Sequence, residues 1–127
     1  MMQTTFARIH KVLATVIGLA TWGQLFLAGL WHAEVLSTPQ AHVFLGLGIL
    51  LASLLTLICA VAGQMEKRTI KLTAFLFFLI LLQPILIRQR EGGIAFLSAF
   101  HTLNAAFIGM TSGMVMAVSP VSVATGD

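Results

Sequence analysis

The chain has 127 residues, of which 58% are hydrophobic and only 9% charged, with a net charge of +3 and a mean hydropathy of +0.99. A soluble domain carries about 25% charged residues. So few charges exclude an ordinary soluble enzyme or binding module, and the chain reads as one small integral membrane domain, 1–127. The basic surplus does not point to nucleic acid, because the charges sit in gaps between apolar runs, where they set membrane topology.

Four charge-free runs follow one another. The first extends from Val12 to Ala33, between Lys11 and Glu34. Its apolar core is longer than the 7–15 residues of a signal peptide, so it reads as a retained helix. The second extends from Ala41 to Met65 and is introduced by Ser37-Thr38-Pro39, a capping hydroxyl with proline expected at the first helical position. The third, Leu72 to Ile87, is short for a span of about 20 residues. Lys71 and Arg88 can extend it by snorkelling, and Pro84 should kink it. The fourth follows Gly92-Gly93 and ends near Val118, with Ser98 as a second capping position and a small polar tail after Ser119-Pro120. The expected spans are about 10–33, 39–64, 70–88 and 94–118. Short connections make them an all-α, up-down-up-down four-helix transmembrane bundle.

Orientation follows from Lys and Arg. Arg8 and Lys11 precede the first run, and Lys67, Arg68 and Lys71 separate the second from the third. The segment from Glu34 to Gln40 has neither residue, while Arg88 and Arg90 argue the other way. The balance places both termini in the cytoplasm of a bacterial inner membrane.

Small and polar residues mark the faces expected to meet in the interior. They are His10, Ala14, Gly18, Thr21, Gln24, Ala28 and His32 in the first run, and His42, Gly46, Ile49, Ser53, Thr56, Ala60 and Gly63 in the second. In the fourth they are His101, Ala105, Gly109, Gly113 and Ala117. The third run is bulkier, with Gln83 as its internal polar side chain. Cys59, the single cysteine, has no intramolecular partner and reads as a small core residue.

Ionisable groups within spans are costly and tend to be functional. With the N-terminus inside, His42 and His101 both lie near the outer ends of diagonal helices. That placement suits a flat macrocycle with one imidazole on each face: heme b, with His42 and His101 as axial ligands of the iron and Gly46, Ala105 and Gly109 making room. Two other readings stay open at this point. The imidazoles can simply hydrogen-bond across helices, with Gln24, Asn104 or Gln83, or they can serve a quinone or another metal. His10, beside Lys11, reads as an interfacial side chain. His32 reads as interfacial too, or as a quinone partner, an alternative ligand or a weak metal site with Glu34. No Ser-His-acid group, paired carboxylates, phosphate-binding glycine loop or zinc-type cluster appears, so electron transfer or an accessory role is expected before stand-alone catalysis.

Gln24-Leu25-Phe26-Leu27-Ala28-Gly29-Leu30, Ala41-His42-Val43-Phe44-Leu45-Gly46, Leu82-Gln83 and Phe100-His101-Thr102-Leu103-Asn104-Ala105 fall in the same order as in a bacterial four-helix membrane family of unknown function, which the chain resembles over nearly its whole length. The arrangement is also similar to a half-bundle of heme A synthase and to small b-type cytochromes. That resemblance implies heme ligation by histidines on the second and fourth helices, here His42 and His101, with Arg88 and Arg90 near the propionates and no second heme. The implied role is electron transfer, with a quinone or a larger membrane redox complex as partner. The alternatives are a cofactor-free accessory subunit of a respiratory or photosynthetic complex, docking through Phe75, Phe77 and Phe78, and a small quinone-binding protein using Gln24, His32 and Gln83.

Overall fold

A computed structural model describes residues 2–88 and 95–119. The polypeptide forms four α-helices: α1 (Met2–His32), α2 (Gln40–Ala62), α3 (Lys67–Arg88) and α4 (Ala95–Val118). At 1.5 Å per residue, α2 to α4 are each about 33–36 Å long, close to the hydrocarbon thickness of a bilayer, and α1 is longer by about two turns. Helices α1, α2 and α3 are long and apolar enough to cross a membrane. The interior of α4 is the more polar one, with Asn104, Thr111 and Ser112 buried. The Gly92-Gly93 break, Arg90 and the tail from Pro120 lie outside the described residues.

Each helix packs on two others in a closed ring, α1 on α2, α2 on α3, α3 on α4 and α4 on α1, whereas α1 and α3, like α2 and α4, lie diagonally with their backbones apart and meet only through side chains. The ring follows from the short connections. Helix α1 ends in a reversal at Glu34, whose φ is 60°. The amide of Val35 donates to the Leu30 carbonyl, and that of Glu34 to the Trp31 carbonyl. Helix α2 ends in the same way at Gln64, φ 49°, with Met65 donating to Ala60 and Gln64 to Val61. Both are Schellman closures in which a left-handed residue lets the next amides cap the last carbonyls.

Expected boundaries move, most of all at the start of α1, which begins at Met2 rather than near 10. Pro39 is the N-cap of α2 rather than its first helical residue, and no side chain caps the helix. The Pro39 carbonyl itself takes the first helical bond, from the Val43 amide. Helix α3 begins at Lys67, three residues before the expected start at 70, because the Glu66 carbonyl accepts from Ile70 and opens the helix across the basic segment. Pro84 is retained within it.

The core is narrow. Ala14, Ile17, Ile49, Leu76, Leu79, Ile80, Ile108 and Val115 form it. Buried hydroxyls satisfy themselves on their own helices: Thr21 donates to Ile17, Thr56 to Ala52, Thr73 to Thr69 and Ser119 to Val115, all to backbone carbonyls. The bulky side chains face outward instead, including Trp22, Phe26, Phe44, Phe96 and Met110. An exterior of this kind suits hydrocarbon surroundings rather than water.

The expected interior face of α2 is observed, with Ile49, Ser53, Thr56 and Ala60 all buried. That of α4 is not. Gly109, Gly113 and Ala117 are exposed, and the buried face is Asn104, Ile108, Thr111, Ser112 and Val115. A spacing of four gains about 40° on each step of a 3.6-residue helix, so a stripe that starts inside at His101 leaves the interior within two turns. Alternating steps of three and four, as in α2, hold one face.

Candidate histidine-pair site

His42 lies in the first turn of α2 and His101 in the second turn of α4, on diagonal helices. Their ring centres are 6.3 Å apart, with the planes inclined at 58°. Each ring is held from the side by a neighbouring helix. His42 Nδ1 is 3.1 Å from the Gln24 carbonyl of α1. His101 Nδ1 is 3.2 Å from the Gln83 carbonyl of α3. A carbonyl can only accept, so Nδ1 carries the proton in both rings, and in the neutral imidazole the lone pair is left on Nε2. The expected cross-helix hydrogen bonds therefore exist, but to backbone carbonyls, and they use one nitrogen of each ring.

The two rings do not bond to each other. A direct N–H···N bond of about 3.0 Å holds ring centres no more than about 5.2 Å apart, well short of the observed 6.3 Å.

Gly46 and Ala105 follow their histidines by about one turn, and both are half-buried. At Gly46 the Gln24 side chain fills the space a Cβ would take, its Nε2 2.6 Å from that position, so a larger residue there displaces the Gln24 amide. Asn104, beside Ala105, is buried and donates from Nδ2 to the Leu79 carbonyl at 2.7 Å, tying α4 to α3. The side-chain oxygens of Gln24 and Gln83 are buried without a hydrogen-bond partner among the described residues. Gly109 is on the outer surface, away from the rings, and a Cβ there meets nothing within 4 Å.

The other two histidines stand apart. His32 is exposed and lies against Trp31, with ring centres 5.0 Å apart. Glu34 is likewise exposed, and no cluster of three or more His, Cys, Asp or Glu forms among the described residues. His10 corrects the interfacial expectation: it is fully buried. Its Nε2 is 3.0 Å from Thr73 Oγ1 and its Nδ1 is 3.0 Å from Ser119 Oγ, which joins α1, α3 and the end of α4. Its neighbour Lys11 is part-exposed, so adjacency in sequence put the two on different faces of α1. Phe75 and Phe78 are exposed, while Phe77 is half-buried. The side chain of Arg88 lies outside the description.

Sequence reasoning missed one feature. Gln83 and His101 follow Gln24 and His42 by the same 59 residues, so a Gln–His pair of separation 18 occurs twice. Ile49 and Ser53 recur at that offset as Ile108 and Ser112. The signal was present as a weak internal repeat. Comparison with known proteins finds no matching family model, no matching curated protein and no matching solved structure.

Proposed function

We propose that this chain is a small b-type membrane cytochrome. It is an up-down-up-down bundle of four transmembrane helices in the bacterial inner membrane, with one heme b held between His42 and His101 for electron transfer. The observation that carries the reading is the ring separation of 6.3 Å between two imidazoles that both keep Nε2 as the lone-pair nitrogen. A metal–imidazole bond of about 2.0 Å, with the ring centre about 1.1 Å beyond the nitrogen, puts two axial imidazoles about 6.2 Å apart. The donor set fits as well. Two histidines without a third protein ligand leave most of a metal's coordination sphere unfilled, and a porphyrin fills four positions.

The chain's own residues do the rest. The Gln24 and Gln83 carbonyls fix each ring's tautomer and orientation. Gly46 leaves room for the Gln24 side chain beside His42, and Ile49 and Ile108, two turns along from each ligand, are buried and keep water out. Heme, when bound, supplies the one-electron redox chemistry. Five of the seven Lys and Arg residues lie in the first turns of α1 or open α3, so the end of the bundle near His10 faces the cytoplasm, with both termini. The histidine pair is then near the outer face, where a quinone or a larger membrane redox complex can exchange electrons with it.

The test is a reduced-minus-oxidised visible spectrum of the detergent-purified protein, with a pyridine hemochrome assay for stoichiometry. A b-type band at one heme per chain is expected, lost in His42→Ala and in His101→Ala. Unchanged heme content in both variants overturns the assignment. A second reading, a cofactor-free accessory subunit, draws on the exposed Phe75 and Phe78 of α3. Copurification with a large complex and a flat spectrum from the isolated subunit would favour it.

A further inference from the structure

The recurrence of Gln and His at one offset is matched by the way the two halves are built. Hairpin α1–α2 carries Gln24 and His42, and hairpin α3–α4 carries Gln83 and His101. In each, the histidine Nδ1 meets the glutamine backbone carbonyl of the partner helix, at 3.1 and 3.2 Å. In each, the glutamine side-chain oxygen is buried and unpartnered. Seven residues beyond each histidine is a buried isoleucine, Ile49 at 6% and Ile108 at 5% exposure. Four residues further, Ser53 and Ser112 donate to the carbonyl three residues back, at 2.8 and 2.9 Å. The packing ring respects the same exchange: swapping the hairpins turns the α2–α3 contact into the α4–α1 contact.

We infer that the site is two-fold pseudo-symmetric, assembled from two copies of one ligand-bearing hairpin, and that it binds heme in both face orientations. The inference rests on the heme reading above. A two-fold axis that exchanges α1 with α3 and α2 with α4 runs along the bundle. It also exchanges His42 with His101, so it lies in the plane midway between the two ligands, where the porphyrin plane must be. Heme has nearly that symmetry itself: turning it over about the axis that passes between its propionates exchanges only methyl and vinyl groups. The protein therefore presents nearly the same wall to either face. Beside the rings the departures are Gly46 against Ala105 and Leu45 against Asn104, whose amide is committed to the Leu79 carbonyl; the larger ones, Ala41 against Phe100 and Gly48 against Phe107, are on exposed faces. A methylene-sized difference in contact is worth about fourfold in population, and the two orientations are expected within about tenfold of each other.

The experiment is proton NMR of the oxidised full-length holoprotein in detergent micelles, after incubation until the spectrum no longer changes. The shifted heme-methyl signals report orientation independently of any electron-transfer assay. Two sets within tenfold of each other are expected. A single set, in protein whose b-type band is present, overturns the symmetric site and leaves the cytochrome reading standing. Absence of any heme band overturns both.

Discussion

His10 has both ring nitrogens 3.0 Å from side-chain hydroxyls of other helices, Thr73 and Ser119; the neutral ring donates to one and accepts from the other, and the hydroxyl that donates to the ring gives up the bond to its own helix. His42 and His101 spend only one nitrogen each. The chemistry available to the three residues differs accordingly: a saturated imidazole ties helices together, and a half-used one can ligate. His10→Ala removes a buried ring and two cross-helix hydrogen bonds, a loss of about 2 kcal/mol. A lower unfolding midpoint in detergent with heme content unchanged is the expected result. Loss of heme from a folded His10→Ala protein would contradict the division of roles. The pairing of His42 and His101 was legible in the sequence because each histidine opens an apolar run. The role of His10 was not, because its partners lie 63 and 109 residues away. The two carbonyls that orient the paired rings were equally hidden, since any residue type supplies a backbone carbonyl.

At the level of the helices, composition and punctuation located all four elements; most ends moved by one to three residues, but α1 begins eight residues before the expected start, because a charge-free run marks the apolar span and not the helical turns that carry Arg8 and Lys11 ahead of it. The two Schellman closures illustrate the limit. They place Glu34 and Gln64, not glycines, at positive φ, and nothing in either residue type announces a left-handed turn. That conformation costs an L-residue about 1 kcal/mol or more. Glu34 is exposed, so Glu34→Gly releases the strain without disturbing packing. A gain of about 0.5–1 kcal/mol is expected, read as a higher unfolding midpoint in detergent. No gain would mean that the Glu34 side chain compensates for its backbone. The α4 stripe failed for a geometric reason: residues every four positions look regular in sequence and spiral off a 3.6-residue helix.

For the molecule as a whole, the distribution of Lys and Arg predicts an orientation that can be tested directly. A fluorescent reporter fused to the N-terminus should light up in the cytoplasm, and alkaline phosphatase fused after Leu36 should be active outside. The reverse pattern would invert the bundle and put the histidine pair on the cytoplasmic side. The diagonal placement of α2 and α4 was readable from short connections alone, whereas the pseudo-two-fold relation between the hairpins needed coordinates, because so few side chains repeat. The outward-facing bulk of Trp22, Phe26, Phe44 and Met110 also has a thermodynamic consequence. In lipid these side chains keep the same apolar neighbours whether the helices are together or apart. Separation then hydrates little new hydrocarbon, and the heat-capacity increment should fall well below the 12–15 cal/mol/K per residue of a water-soluble domain, about an order of magnitude being a fair target for calorimetry in detergent. The stability curve of such a bundle is flat: it softens on heating and, unlike a soluble protein, has no cold arm on which to come apart.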